Sequence, residues 1–354
     1  MSKMLTKTKR RNQTLLKTSP SKMNSGIILT LLFSIFIPLQ TFALDEQINT
    51  TSTSSYPLDS AQAWLVKMSN AVRTLNYTVS FVLLKPGMDS QPYLWRHGVN
   101  ELGLEMEQLN LLNGPGREVV RIGNKVSYFE PSVPPYSLYS SIINGPLPSE
   151  FLQRPEKLML GYEFIMVGRS RIAGLAAQQI KIISKDKSRF GINVWLDQET
   201  GLLLKMNMFD QNAKFLEQIQ VTSLQVTEEP DPFFAKIEPE MLPDVVSFSP
   251  KSEFNSEWTI GYIPKGMTIE KRDFLRLPGS SVVVEYIMLS DGLIDVSVYL
   301  QEKDNDKPQD NLVGTVQSDT LLTIEHGDLN ITIIGKLPAV TANAIAKSIE
   351  KTTK

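Results

Sequence analysis

The spacing of apolar positions along this chain changes from helical to strand-like near residue 76. Over residues 60–75 apolar side chains recur at helical spacing, with Trp64, Leu65, Met68, Val72 and Leu75 on one face. Asp59 or Ser60 is placed to cap that helix, and Asn76 to end it. The period then drops to two. Tyr77, Val79, Phe81 and Leu83 alternate with Thr78, Ser80, Val82 and Leu84, which predicts a strand whose second face is only partly polar. Further strands are expected at 119–122, 126–129, 163–167, 178–183, 192–196, 202–209 and 216–226. Gly123-Asn124, Ala173-Gly174 and the polar runs 185–188, 197–201 and 210–212 supply the turns between them. Residues 98–112 and 140–160 are less regular and are expected to hold short helices. Strands this closely spaced favour an antiparallel meander, because parallel pairs need long crossovers.

The pattern breaks at residues 228–250, where Pro230, Pro232, Pro239, Pro243 and Pro250 stand among acidic residues. That composition suits a semi-rigid linker. Phe233-Phe234, Met241-Leu242 and Val245-Val246 interrupt it, so parts of the linker are expected to dock on a surface. Beyond it a second domain is expected over 251–354. Strands 281–289 and 293–301 join at Ser290-Asp291-Gly292, and 321–325 and 329–334 join at His326-Gly327-Asp328. The acidic loop 303–311 is expected to be mobile. A last helix at 341–351 carries Ala342, Ile345, Ala346 and Ile349 on one face.

The N-terminus determines the compartment and changes the charge. Residues 1–25 hold seven basic residues and no acid, followed by an apolar run of about twelve residues ending at Pro38. That run is shorter than the roughly twenty residues that span a bilayer, and suits a signal-peptide core. Cleavage is expected after Ala43, giving a signal peptide at 1–43, a Thr/Ser-rich leader at 44–57 and a first domain at 58–227. The signal peptide carries seven of the 36 basic residues and none of the 38 acids, so the exported chain is near −9. So acidic a chain is a poor candidate for nucleic acid, which is bound by neutralising phosphates. With no cysteine, disulfides and thiol chemistry are excluded.

The sequence holds little reactive chemistry. The two histidines, His97 and His326, lack metal-ligand spacing, and no nucleophile elbow, zinc helix or phosphate loop occurs. No cofactor and no catalysis are expected; carboxylate pairs such as Asp197/Glu199 suit surface turns. Trp95, Tyr128, Trp195, Met206 and Met208 offer a sharper possibility. They lie on expected strands of one sheet, and a sheet that curls without closing could hold an acyl chain against them. The competing reading makes them ordinary core packed under the first helix. Arg117, Arg121, Arg169, Arg171 and Lys181 are the candidate contacts for an anionic ligand, or else solvated strand-edge charges.

Residues 114–131, Gly114-Pro115-Gly116-Arg117-Glu118-Val119-Val120-Arg121-Ile122-Gly123-Asn124-Lys125-Val126-Ser127-Tyr128-Phe129-Glu130-Pro131, resemble the RseB/MucB family. So do the run 162–173, Val194-Trp195-Leu196-Asp197 with Glu199, Leu216-Glu217-Gln218, Trp258 with Ile263-Pro264-Lys265-Gly266-Met267, Ser290-Asp291-Gly292-Leu293 and Gly335-Lys336-Leu337-Pro338. Ile263, Met267 and Leu289 depart from the family's usual leucine, phenylalanine and aromatic. The resemblance implies a mainly β (α+β) chain: an unclosed antiparallel barrel like that of the lipoprotein carriers LolA and LolB, then a smaller antiparallel sheet with a terminal helix. It implies a periplasmic negative regulator of the envelope stress response. Such a protein binds the periplasmic part of an RseA/MucA-like anti-sigma factor, shields it from a DegS-type site-1 protease, and lets go when lipopolysaccharide or another acyl-chain lipid binds. A periplasmic lipid or lipoprotein carrier is the alternative on the same scaffold. The oligomeric state stays open, a homo-oligomer included.

Overall fold

The computed structural model describes residues 57, 59–246, 256–276, 283–303, 311–316 and 318–352. The expected signal peptide, nearly all of the leader and most of the acidic loop at 303–311 lie outside the described residues. The first helix, α1, covers Ala61–Thr74, and the Ser60 side chain accepts from the Ala63 N–H at 3.1 Å. Strands follow as β1 (Asn76–Leu84), β2 (Gln91–Val99), β3 (Glu105–Leu111), β4 (Arg117–Ile122), β5 (Lys125–Phe129) and β6 (Tyr136–Tyr139). After α2 (Ser149–Gln153) and a 3-10 turn (Pro155–Leu160) come β7 (Tyr162–Ile172), β8 (Leu175–Ser184), β9 (Gly191–Asp197), β10 (Leu203–Phe209) and β11 (Phe215–Thr227).

All eleven strands form one antiparallel sheet in the order β6-β5-β4-β3-β2-β1-β11-β10-β9-β8-β7, with β6 and β7 as its unjoined edges. Helix α1 touches both β2 and β7, which stand six positions apart in that order. At about 4.8 Å per strand a flat sheet would hold them nearly 30 Å apart, beyond the reach of one helix about 10 Å wide. The sheet therefore curls around α1 without closing. Tyr77, Val79, Phe81 and Leu83 face inward, and directly opposite residues share their face, among them Trp95 and Tyr93.

The stretch at 98–112 contains strand β3, not a short helix. Its inward positions Glu105 and Glu107 interrupt the apolar alternation, so the strand was invisible as a pattern. At the expected Gly123-Asn124 turn, Gly123 takes a positive φ of +57°. The stretch at 140–160 does hold a short helix, α2.

The Pro-rich segment is a strap laid along the outer face of the sheet. Asn76 donates to the Glu228 carbonyl at 2.6 Å, and Asp231 accepts from Thr78 and Arg96 at 3.2 and 3.0 Å. A Cβ on Gly98 would stand 2.9 Å from Pro230 and 3.1 Å from Phe234, so the strand needs glycine where the strap crosses. Farther along, Ser137 Oγ donates to the Pro243 carbonyl at 2.7 Å, and Val245 forms a parallel bridge to the outer edge of β6. That bridge covers one edge of the open sheet.

The second domain contains β12 (Trp258–Ile260), β13 (Thr268–Arg276), β14 (Val283–Ser290), β15 (Asp295–Glu302), β16 (Leu312–Val316), β17 (Asp319–His326), β18 (Leu329–Gly335), α3 (Ala339–Lys347) and β19 (Ile349–Lys351). Six strands make an antiparallel sheet in the order β13-β14-β15-β18-β17-β16, and α3 packs on β17 and β18. The last helix is shorter than expected. It ends at Ser348, and buried Ile349 pairs with Ile260 in the small β12–β19 sheet.

Candidate functional site

The interior of the curled sheet is packed core. Beneath α1 and α2, residues including Tyr77, Phe81, Trp95 and Leu152 leave a void of only about 20 Å³, room for roughly one water. Larger spaces open on either side of the segment at 142–148, which lies across the inner face with Ile143 buried. On one side is a pocket of about 390 Å³ whose floor is Leu83, Tyr93, Leu109, Leu111 and Val119, with Lys85 and Arg117 also lining it. On the other is a cleft of about 540 Å³ between the domains. Met206, Met208, Met288, Leu293 and Ile294 give it apolar surface. Its ionisable lining is mostly acidic, with Glu150, Glu217, Glu270, Asp295 and Asp319 against Lys336. Asn144, Gly145 and Pro146 line both spaces and so form the wall between them.

Two polar clusters hold the domains together beside the cleft. The first is a buried pivot around Asp291, in the turn between β14 and β15. One carboxylate oxygen accepts from Tyr162 Oη at 2.8 Å and Arg189 Nε at 2.9 Å; the other accepts from the Leu293 and Ile294 N–H groups at 3.0 and 2.9 Å. The side chains of Arg189 and Asp291 are 0% and 1% exposed. Arg189 also donates to the Lys265 carbonyl, and its guanidinium lies 4.9 Å from the centre of the Tyr162 ring. Burial and the Asp291 carboxylate push the Tyr162 phenol well above its ordinary value. Asp186 accepts from the Lys265 N–H at 3.0 Å. Burial alone would raise Asp186, but hydrogen bonds from Ser188, Ser184 and that N–H outweigh it and hold the carboxyl well below the usual range.

The second cluster is a partly exposed clasp around Glu217 of β11. This carboxylate is 4% exposed and lies 2.8 Å from Lys336 Nζ and 3.4 Å from Lys85 Nζ, with Ser318 Oγ at 3.1 Å. Lys336 and Ser318 belong to the second domain, Lys85 to the first. Neighbouring Asp319 has its carboxyl raised, chiefly by burial, with Glu217 adding to it and Lys336 and Lys85 opposing.

The five apolar residues expected to line a lipid pocket do not share one cavity. Trp95 borders the small void, and Met206 and Met208 line the interdomain cleft. Tyr128 stacks on Tyr136 at 5.0 Å. Trp195 sits opposite Lys205, on the other face of the sheet from Val194 and Met206, with the Lys205 ammonium 5.2 Å from its ring.

The expected cations are equally dispersed. Arg117 lines the 390 Å³ pocket and pairs with Glu130 at 2.8 Å. Arg121 is 1% exposed and bound between Glu107 at 2.5 Å and Glu105 at 3.0 Å. An anion could not reach it without unpacking the core, so this arginine is a structural cation. Burial alone would raise Glu105, but the hydrogen bond from His97 and the charge of Arg121 leave it lowered. His97 sits fully buried between Glu105 and the Leu75 carbonyl, completing that network. Arg169 and Arg171 are exposed at the far end of β7, and Lys181 is exposed on the outer face. Asp291, Arg189 and Glu217 were not anticipated as a site. Ser290-Asp291-Gly292 and the polar run at 185–188 read simply as turns, because the partners of Asp291 and Asp186 in the other domain are 79 to 129 residues away.

Comparison with known proteins matches both domains. Residues 60–246 match the MucB/RseB N-terminal domain and residues 252–350 the MucB/RseB C-terminal domain. The chain is 33% identical over 292 residues to the sigma-E factor regulatory protein RseB of Salmonella typhimurium, covering 81% of this chain and 90% of that protein. It is 28% identical over 295 residues to the sigma factor AlgU regulatory protein MucB of Pseudomonas aeruginosa, covering 82% and 90%. The complex structure of Pseudomonas aeruginosa MucA/MucB aligns with a TM-score of 0.68 at 24% identity, covering 83% of this chain and 99% of that one. A crystal structure of MucB in complex with MucA(peri) aligns with a TM-score of 0.66 at 24% identity, covering 83% and 100%. With both of its domains matched in order, this chain belongs to the MucB/RseB family.

Proposed function

We propose that this chain is an exported, periplasmic, non-enzymatic regulator that binds the periplasmic segment of a MucA/RseA-like anti-sigma factor and shields it from site-1 proteolysis. The match across both domains to sigma-factor regulatory proteins carries this reading. The interdomain cleft supports it physically. Its methionines offer adaptable apolar surface, and its carboxylates favour a segment carrying basic side chains. The release signal is a lipid with an anionic head, whose most suitable lodging is the apolar-floored pocket beside Lys85 and Arg117. A carrier function is the second reading, favoured by that same pocket; the filled core beneath α1 leaves it little room to hold a large cargo.

The test is a protection assay with the mature chain, its cognate anti-sigma periplasmic segment and the activated protease. Slower cleavage, restored by lipopolysaccharide, is expected. Unchanged cleavage with no complex at micromolar concentrations would refute the regulator, and acyl chains co-purifying with the protein would then favour the carrier.

A further inference from the structure

The outer face of the first sheet carries the strap on one side only. The strap's hydrogen bonds run to β1, β2 and β6, and none of those described above falls on β8, β9 or β10. On these strands and β11 the cross-strand register sets two outward rows. Lys181, Asn193, Asn207 and Gln218 stand side by side in one, and Gln179, Trp195, Lys205 and Gln220 in the next. Together they are five amides, two lysines and a tryptophan, with no carboxylate, in a chain whose acids outnumber its bases. Beside them, between the turns at 185–188 and 210–214, lies a pocket of about 630 Å³. Ile183, Gly191 and Phe209 give it an apolar lining, with Lys181, Lys187 and Asn193 around it. A Cβ on Gly191 would meet nothing within 4 Å, so the space above the strand is open there. Among the described residues, Lys181, Lys187 and Lys205 have no ion-pair partner. Asn207 is 8% exposed, and its Oδ1 has no hydrogen-bond partner among the described residues. A buried amide oxygen ordinarily finds a donor, and the flanking Asn193 and Gln218 do not supply one.

We propose that this outer face is a binding site for an acidic oligosaccharide, a run of pyranose rings carrying carboxylates and no acyl chain. Each amide brings both donors and an acceptor, which is the pairing a sugar hydroxyl needs. A hydroxyl seated between Asn193 and Gln218 gives Asn207 Oδ1 the donor it lacks. Trp195 and Phe209 offer apolar ring faces to the C–H faces of sugars, at either end of the amide rows. Phe209 pairs with Gly191, four residues before Trp195, which sets the two rings about 13 Å apart along the strand. The unpaired lysines complement the carboxylates. A protein partner would call for an apolar centre to its interface, which these rows lack. A nucleic acid would call for many more cations. No residue of the rows lines the interdomain cleft, so glycan and protein partner can be held at once. The site stands whether or not the cleft binds an anti-sigma segment.

The test is calorimetric titration of the mature chain with hexagalacturonate, with maltohexaose and hexaglutamate as separate arms at equal ionic strength. Hexagalacturonate is expected to bind with a Kd below about 1 mM, more weakly as salt is added. The neutral sugar and the acidic peptide should each bind at least about tenfold more weakly. Trp195→Ala and the double variant Lys181→Gln/Lys205→Gln should each weaken binding about tenfold. Gly191→Val places its methyls in open space, so it should block the pocket and weaken binding similarly while the urea midpoint stays unchanged. Maltohexaose binding as tightly as hexagalacturonate overturns the requirement for acid, and hexaglutamate doing so overturns recognition of sugar. Full affinity in both Trp195→Ala and Gly191→Val overturns the placement, and no binding at millimolar concentration overturns the site. Because no anti-sigma segment is present, these outcomes are independent of the protection assay.

Discussion

Removing the arginine of the interdomain pivot should destabilise this chain well beyond the range of surface substitutions. Arg189→Met keeps an unbranched apolar stem but strips Asp291 of its guanidinium partner while leaving the carboxylate 1% exposed. Breaking one side of a buried ion pair costs about 3–5 kcal/mol, because the remaining charge stays desolvated. Asp291 retains Tyr162 Oη and two backbone N–H donors, which places the expected loss near the lower end, about 3 kcal/mol. Asp291→Asn should be costly as well, since it puts an amide where four donors converge. The double variant should lose less than the sum of the two, with a coupling energy of about 1.5–3 kcal/mol, as expected for groups in one network. The assay is urea unfolding followed by total tryptophan emission and by far-UV circular dichroism. Trp258 is the second domain's tryptophan, so a variant whose domains have come apart should show two transitions or non-coincident probes. Single variants within about 0.5 kcal/mol of the parent, or strictly additive costs, would refute the pivot, since that is the range of surface substitutions.

Three further outcomes follow from the same geometry. Gly161→Ala would bring a Cβ to 2.5 Å from the Lys265 carbonyl oxygen and should destabilise the domain contact by about 1–3 kcal/mol in the same unfolding assay, although Gly161 itself has an ordinary negative φ. Phe234→Ala, which empties the buried anchor of the strap, should cost about 3–5 kcal/mol and speed limited proteolysis within 228–246; an unchanged digestion rate would mean that the strap does not depend on this anchor. Asp319→Asn should raise the melting temperature at pH 7, because a carboxyl with a raised folded-state pKa opposes folding wherever it must be charged. That gain should shrink on acidification and vanish below the unfolded-state value of about 3.9; a gain that persists or grows there would contradict the burial argument.

What the amino-acid order determined by itself was everything that depends on near neighbours. Ser60 and the apolar stripe after it are enough for α1, because a cap and a 3.6-residue period are local properties. The alternation from Tyr77 to Leu84 is enough for β1, and Gly123, Gly292 and Gly327 with their polar neighbours mark hairpin turns. The family resemblance rested on such local runs, and both domains match the family models. Tertiary structure decided the rest, wherever a residue's meaning depends on a partner far along the chain. Strand β3 is hidden in the sequence because Glu105 and Glu107 look like surface charges until Arg121 and His97 fold over them. Asp291 reads as a turn residue until Tyr162 and Arg189 close on it from the other domain. Trp95 and Trp195 look equivalent on their strands, yet one belongs to the packed interior and the other to the outer face, because facing is set by cross-strand register. Whether an inward aromatic borders a pocket or a filled core depends on what packs opposite it. Here the helices fill the space over Trp95, and the wall at 142–148 separates the pocket lined by Lys85 from the cleft lined by Glu217.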